Sequence, residues 1–216
     1  MKIDSQLQRD VMDELEWDPS VDHADIGVAV VEGVVTLNGY VKSYAEKLAA
    51  ERAAKRVSGV SAIAEELKVR YASDAKTADH EIAKRILDIF RWNVNVPEKH
   101  LTVKVENGWV TLTGNVEWNY QSQEASKSAA KVTGVVGVSN AIGIANRASV
   151  TDVRKRIEDA FRRQADLDAA SVTIQTQGST VTLGGKVKAW PERQVAERAA
   201  WAAPGVTEVV DRIAIS

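Results

Sequence analysis

The sequence predicts an α+β protein of three tandem α-β-β-α-β modules, each a small three-stranded mixed sheet packed against two helices. Three observations carry this. A nine-residue phrase recurs as GVVTLNGYV from Gly33, GWVTLTGNV from Gly108 and STVTLGGKV from Ser179, at offsets of 75 and then 71 residues. The same offsets relate Gly59, Gly134 and Gly205. An apolar stripe at helical spacing precedes each copy, and an alanine-rich stretch follows it. The modules span residues 1–72, 77–146 and 149–216.

The first element is a helix. Leu7, Val11 and Leu15 share one stripe, with Asp4 or Ser5 as N-cap and Asp18-Pro19 as the stop. Ile82, Ile86 and Phe90 repeat the stripe after Asp79, and Val153, Ile157 and Phe161 repeat it after Thr151. These positions are read as core. A hairpin follows in each copy, its first strand carrying Ile26, Val28, Val30, then Leu101, Val103, Val105, then Val172, Ile174, Thr176. The turn pairs are Glu32-Gly33, Asn107-Gly108 and Gly178-Ser179; Asn-Gly favours a type I′ turn, and glycine at the first central position a type II′ turn. In the second strand Val35, Leu37 and Val41 share a face, as do Val110, Leu112, Val116 and Val181, Leu183, Val187. Gly39, Gly114 and Gly185 lie between them as bulge or close-packing positions.

A second helix is predicted over 43–57, 118–132 and 189–203, with small inward residues such as Ala50, Ala53, Ala125, Ala129, Ala196 and Ala200. Gly59, Gly134 and Gly205 end it as C′ glycines. A third strand closes each module through Val60, Ile63, Leu67, then Val135, Val138, Ile142, then Val206, Val209, Ile213. The joins between modules are short, so a compact or gently bent row is expected rather than free beads.

Composition excludes several function classes. The 216 residues contain no cysteine, which removes disulfides, thiol catalysis and thiolate metal sites. Net charge is −2 overall, and −4, +1 and +1 over 1–72, 73–147 and 148–216, which is not the basic balance that nucleic acid demands. No run approaches membrane-spanning length, so the chain is not expected to be transmembrane. With Met1 as native start it is expected in the cytoplasm, and in the periplasm if a leader was removed. His23, His80 and His100 do not coincide when the modules are superposed, so they form no repeated metal or catalytic pattern. No phosphate-cradling glycine motif is present. The element order resembles RNA-binding KH folds, but no GxxG loop joins two helices, and nucleic acid is not expected as a partner.

The repeated G-x-V-T-L-x-G-x-V phrase, the alanine-rich helix, its terminal Gly-Val, and the closing Val138–Ile142 and Val209–Ile213 segments (V-x-N/D-x-I) resemble the BON domain of bacterial osmotic-stress and nodulation proteins. The resemblance covers nearly the whole chain in three copies. Module one departs from it at Glu65, where Asn or Asp stands in the other copies. It implies a non-enzymatic module with no catalytic residue, metal or cofactor, attaching to phospholipid or another envelope component under stress. It also leaves open an adaptor that joins protein partners, or a potassium-linked sensor. Oligomeric state does not follow from it.

Two surfaces are expected to carry contacts. Trp17 and Trp92 occupy the same place near the end of the first helix, to one side of its core stripe. Covering the edge of their own small cores is the first reading, and facing a neighbouring module or a membrane is the second. Module three has Arg163 there, in a helix that also carries Arg154, Lys155, Arg156 and Arg162, and i,i+4 pairing such as Arg154 with Glu158 is its simplest account. The sharper expectation is a lipid-contacting surface of Trp92 with Arg154, Lys155, Arg162 and Arg163. Contacts between modules are expected through the outer hairpin faces, at Val31 and Val34 and at Trp109.

Overall fold

The computed structural model describes residues 3–70, 78–145, 153–163 and 170–215. Module one runs α1 (Asp4–Trp17), β1 (Ile26–Val31), β2 (Val34–Val41), α2 (Tyr44–Arg56) and β3 (Ala62–Val69). Module two runs α3 (Asp79–Trp92), β4 (Leu101–Glu106), β5 (Trp109–Val116), α4 (Asn119–Ala130) and β6 (Gly137–Ile144). Module three runs α5 (Val153–Arg162), β7 (Val172–Gln177), β8 (Thr180–Val187), α6 (Trp190–Trp201), β9 (Glu208–Asp211) and β10 (Ala214–Ile215). In every sheet the strand bearing the repeated phrase is central, antiparallel to the strand before it and parallel to the one after. A parallel neighbour requires a crossover, and the second helix supplies it. In module three the closing strand is interrupted, so β9 and β10 pair separately with β8.

Each module has its own core on the helix-covered face of its sheet. Leu7, Val11 and Leu15 meet Val35, Leu37, Val41 and the alanines of α2, and the stripes of α3 and α5 repeat the arrangement. Alanine at Ala50, Ala125 and Ala196 lets the second helix lie close on the strands, where all three are fully buried.

Polar side chains fix the joints, and the sequence reading missed most of them. Asp4 does not cap α1, whose N-cap is Ile3. Its carboxylate instead accepts the amides of Glu32 (2.9 Å) and Gly33 (3.2 Å), and Asp79 does the same for Asn107 (2.8 Å) and Gly108 (2.9 Å). Both turn residues have positive φ in these two hairpins, a costly conformation for Glu32, which the paired carboxylate bonds hold in place. At the start of the second helix Glu46 accepts the amides of Asp22 and Lys42, Gln121 those of Glu117 and Trp118, and Glu192 that of Lys188. These three are equivalent positions.

The closing motif is a second repeated joint. Glu65, Asn140 and Asp211 each accept the backbone amide two residues on, and each reaches a partner on the second helix: Lys47 (2.7 Å), Ser122 (2.9 Å) and Arg193. Glu65 therefore keeps the role of Asn or Asp, its charge met by Lys47 as that of Asp211 is met by Arg193, while the neutral Asn140 meets Ser122. Gly39, Gly114 and Gly185 are not bulges, because the register runs through them. Their φ values are +113°, +124° and +103°, and a Cβ would run into the carbonyl oxygen of Asp25, His100 or Ser171.

The modules close head to tail. Tyr44, the first residue of α2, packs against the core of module two. Trp118 and Asn119, at the start of α4, face Trp201 and Ala203 at the end of α6 across a narrow cleft. Trp190, the first residue of α6, donates its indole N–H to the Val60 carbonyl (3.2 Å) and lies under the Lys55 ammonium beyond the middle of α2, 5.0 Å from the ring centre. Tyr44, Asn119 and Trp190 are equivalent by the repeat offsets, as are Lys55, Ala130 and Trp201. The contacts thus run one to two, two to three and three to one, a heterologous interface that closes after three units.

This corrects the expectation that modules meet through hairpin faces. Val31 and Val34 are both exposed, and the contacts just described pass through the second helices. Aromatic side chains at helix ends make the joints, while the sheet faces turn outward. Trp109 lies across its own sheet, with its indole N–H donating to the Ser139 hydroxyl oxygen (2.9 Å).

Candidate interaction surface

The end of the first helix is built to hold an indole outward. In module two Asn93, directly after α3, turns in: its side-chain amide donates to Glu124 (3.0 Å) and Ser128 (3.3 Å) of α4, and its own oxygen accepts the Asn95 amide. Pinning Asn93 leaves its neighbours on the outside. Trp92 is 85% exposed and Val94 98% exposed, with Ile89 beside them.

Module one solves the same problem with charge. Asp18 accepts the Ser20 hydroxyl (2.6 Å) and amide, and it pairs with Arg56 of α2 (2.9 Å), which also pairs with Glu14 (2.6 Å). These donors, the Ser20 hydroxyl first and Arg56 next, pull the Asp18 pKa down to about 2. Trp17, ahead of the clamp, is 83% exposed. Neither indole covers the edge of its own core, so the first of the two readings of these tryptophans does not hold. The reason is geometric: the inward slot next to the helix end is already filled by Asp18 or Asn93.

In module three the basic residues lie on the outer side of α5. Arg154 pairs with Glu158 (2.7 Å) and Arg162 with Asp159 (3.5 Å), the local pairing that helical spacing allows, and Arg156 and Arg163 are exposed. Lys155 is exposed as well. Arg163 stands at the position of Trp17 and Trp92. Among the described residues no cluster of three or more His, Asp or Glu could hold a metal ion, and no helix is long and apolar enough to cross a membrane.

A family model for the BON domain matches residues 3–71, 78–146 and 149–216. The chain belongs to the BON domain family. It is 34% identical over 146 residues to osmotically-inducible protein Y of Escherichia coli strain K12, an alignment covering 63% of this chain and 70% of that protein. Two solved structures of CdsD, described as a structural protein of the type III secretion system of Chlamydia trachomatis, align over 98% and 100% of this chain and 92% and 99% of theirs. Their identities are 14% and 13%, and their TM-scores 0.26 and 0.27. The family of this chain is thus that of the BON domain, and its Escherichia coli relative is named for osmotic induction.

Proposed function

We propose that this protein is a non-enzymatic stress-response binder that attaches to anionic phospholipid of the envelope through the side of the ring bearing Trp17, Trp92 and the basic helix α5. The observation behind this is the pair of indoles at equivalent positions, both more than four-fifths exposed and both held outward by a polar clamp on the next residue. An exposed indole in water leaves a large amphipathic ring uncovered, whereas at a headgroup boundary it gains burial for its body and hydration for its N–H. Trp17, Trp92 and Arg163 hold equivalent positions in the three modules, and a head-to-tail ring with one rotation axis would carry them to one side of it. Each basic group close to an anionic leaflet adds about 1 kcal/mol of attraction.

Co-sedimentation with vesicles of mixed phosphatidylcholine and phosphatidylglycerol tests the reading. Trp92→Ala should weaken retention at low and high salt alike, and Trp17→Ala should add to it. Arg162→Glu with Arg163→Glu should weaken retention mainly at low salt, because screening has already removed that attraction at high salt. Vesicle binding unchanged in both the folded indole variant and the folded charge variant would exclude this surface.

A second reading rests on module one. Val31 and Val34 form an exposed apolar edge on the outer sheet face, a surface suited to a protein partner in an adaptor role. Capture of one reproducible protein by the parent chain, lost on Val31→Lys and accompanied by no vesicle binding, would favour it.

A further inference from the structure

Trp109 begins β5 on the sheet face turned away from the helices, and half of it is exposed. The register sets Glu106, Trp109 and Gly137 side by side across the three strands. The six-membered part of the indole lies over Gly137, where a Cβ would collide with its carbons, and the N–H is tied to Ser139. One π face is therefore pressed on the sheet, and the other looks into solvent in a fixed orientation. The module fold does not need an indole there. The equivalent pairs are Val34 opposite Ala62 and Thr180 opposite Glu208.

The same face continues as Lys104, Thr111 and Ser139, then Thr102, Thr113 and Ala141, and ends with Asn115 beside Gly143. Lys104 pairs with Glu106 at 2.9 Å, so the face has no net charge. From Trp109 to Asn115 it runs roughly 20 Å at the rise of a strand. It is a flat, neutral strip with one oriented aromatic ring and a row of hydroxyl and amide groups. A phosphate backbone would require unmatched cations. A second sheet would require apolar side chains rather than Thr, Lys and Glu. An extended peptide adds to a sheet edge rather than its face.

We propose that this face is a carbohydrate platform for a neutral oligosaccharide. A pyranose ring has one face of C–H bonds and a rim of hydroxyls. The C–H face stacks on the outward side of Trp109, and hydroxyls of the following sugars bond to Thr111, Thr113 and Asn115. This surface lies across the sheet from the helices and is independent of the phospholipid reading.

The test follows the indole N–H resonances of the 15N-labelled full chain, with Trp109 assigned by its loss in Trp109→Phe. Maltoheptaose, cellohexaose and chitohexaose are titrated in turn to about 10 mM, within reach of weak millimolar binding. At least one should shift the Trp109 indole and the amides of β5 and β6 while the other indoles stay in place. Trp109→Ala should lower affinity roughly tenfold or more, the scale of losing one aromatic stacking contact, and Trp109→Phe should keep part of it. Thr113→Ala with Asn115→Ala, which leaves the indole and Gly137 untouched, should weaken binding as well. No shift at Trp109 with any of the three sugars, shifts spread over several indoles, or a Trp109 shift produced by phospholipid vesicles instead would each overturn the proposal.

Discussion

Replacing Trp190 by alanine should open the ring. The three-to-one contact joins modules that are not neighbours in the chain, so it depends most on its own side chains. Removing the indole deletes a hydrogen bond to the Val60 carbonyl, worth about 1 kcal/mol, and a cation–π contact with Lys55, worth about 0.5–1 kcal/mol at a partly exposed site. Lost packing of a half-buried aromatic adds roughly 1 kcal/mol at about 25 cal/mol per Å². The total is about 3 kcal/mol, or roughly two decades in the ratio of closed to open rings. Trp190→Phe keeps the packing and the cation–π contact, so it should lose about 1 kcal/mol. The chain has no cysteine, so spin labels placed by Lys68→Cys and Arg198→Cys report only this separation. Pulsed dipolar spectroscopy should give one narrow distance in the parent and a broad, longer distribution in Trp190→Ala. An unchanged narrow distance in a folded Trp190→Ala chain would refute the claim that this clasp closes the ring.

Other joints give sharper local outcomes. Asp79→Ala removes two charge-assisted bonds at the β4–β5 turn, one of them to the buried amide of Gly108, so the hairpin should lose about 2 kcal/mol. Amide exchange should accelerate roughly thirtyfold in β4 and β5 while β1 and β2 keep their rates. Gly114→Ala forces a Cβ onto the His100 carbonyl at a φ reserved for glycine, and limited proteolysis should cut module two first. For Asp18 the folded pKa lies near 2 and the unfolded value at 3.8, so its contribution to stability is essentially complete above about pH 4 and is lost as pH falls through about 2. The stability difference between parent and Asp18→Asn should therefore be largest at neutral pH, fall as pH drops through about 2, and vanish only below that in denaturant titrations.

The regular elements were legible because they repeat with their own periods. A stripe such as Ile82, Ile86, Phe90 and an alternation such as Val110, Leu112 are direct records of which side is buried, and three copies remove the ambiguity of one. The joints were less legible. Asp4 and Asp79 look like ordinary caps, since Asp at a helix start has a local reason to be there; their use on a turn 28 residues away requires the folded geometry. The Glu65 departure became intelligible only beside Lys47, although Lys47–Glu65, Ser122–Asn140 and Arg193–Asp211 do change together and could have been found by pairing the repeats. Outward direction was the hardest quantity to read. An indole about 80° from a core stripe can fold either way, and the choice for Trp17 and Trp92 is made by Asp18 and Asn93 occupying the inward slot.

Comparison of equivalent positions also separates what folds the modules from what distinguishes them. Inside, the three copies agree: Val35, Val110 and Val181 are buried alike, and so are Ala50, Ala125 and Ala196. At the ring joints they differ in a complementary way. The first residue of the second helix is Tyr44, Asn119 or Trp190; Tyr44 packs on the core of module two, Asn119 lines a cleft with Trp201, and Trp190 lies under Lys55. A phenol ring lies on an apolar core, a small amide shares its cleft with a bulky ring, and an indole takes a cation. Any exchange of partners would set two aromatics on one joint and leave another without one, so the side chains specify the order of the ring as well as its closure. The same comparison marks where the surfaces diverge, because Trp17, Trp92 and Arg163 share one place and Val34, Trp109 and Thr180 share another. Neither place faces a core. Repeats held to one fold by identical interiors can vary such positions independently, which is how a three-module ring can present different chemistry on each of its sheet faces while keeping a single architecture.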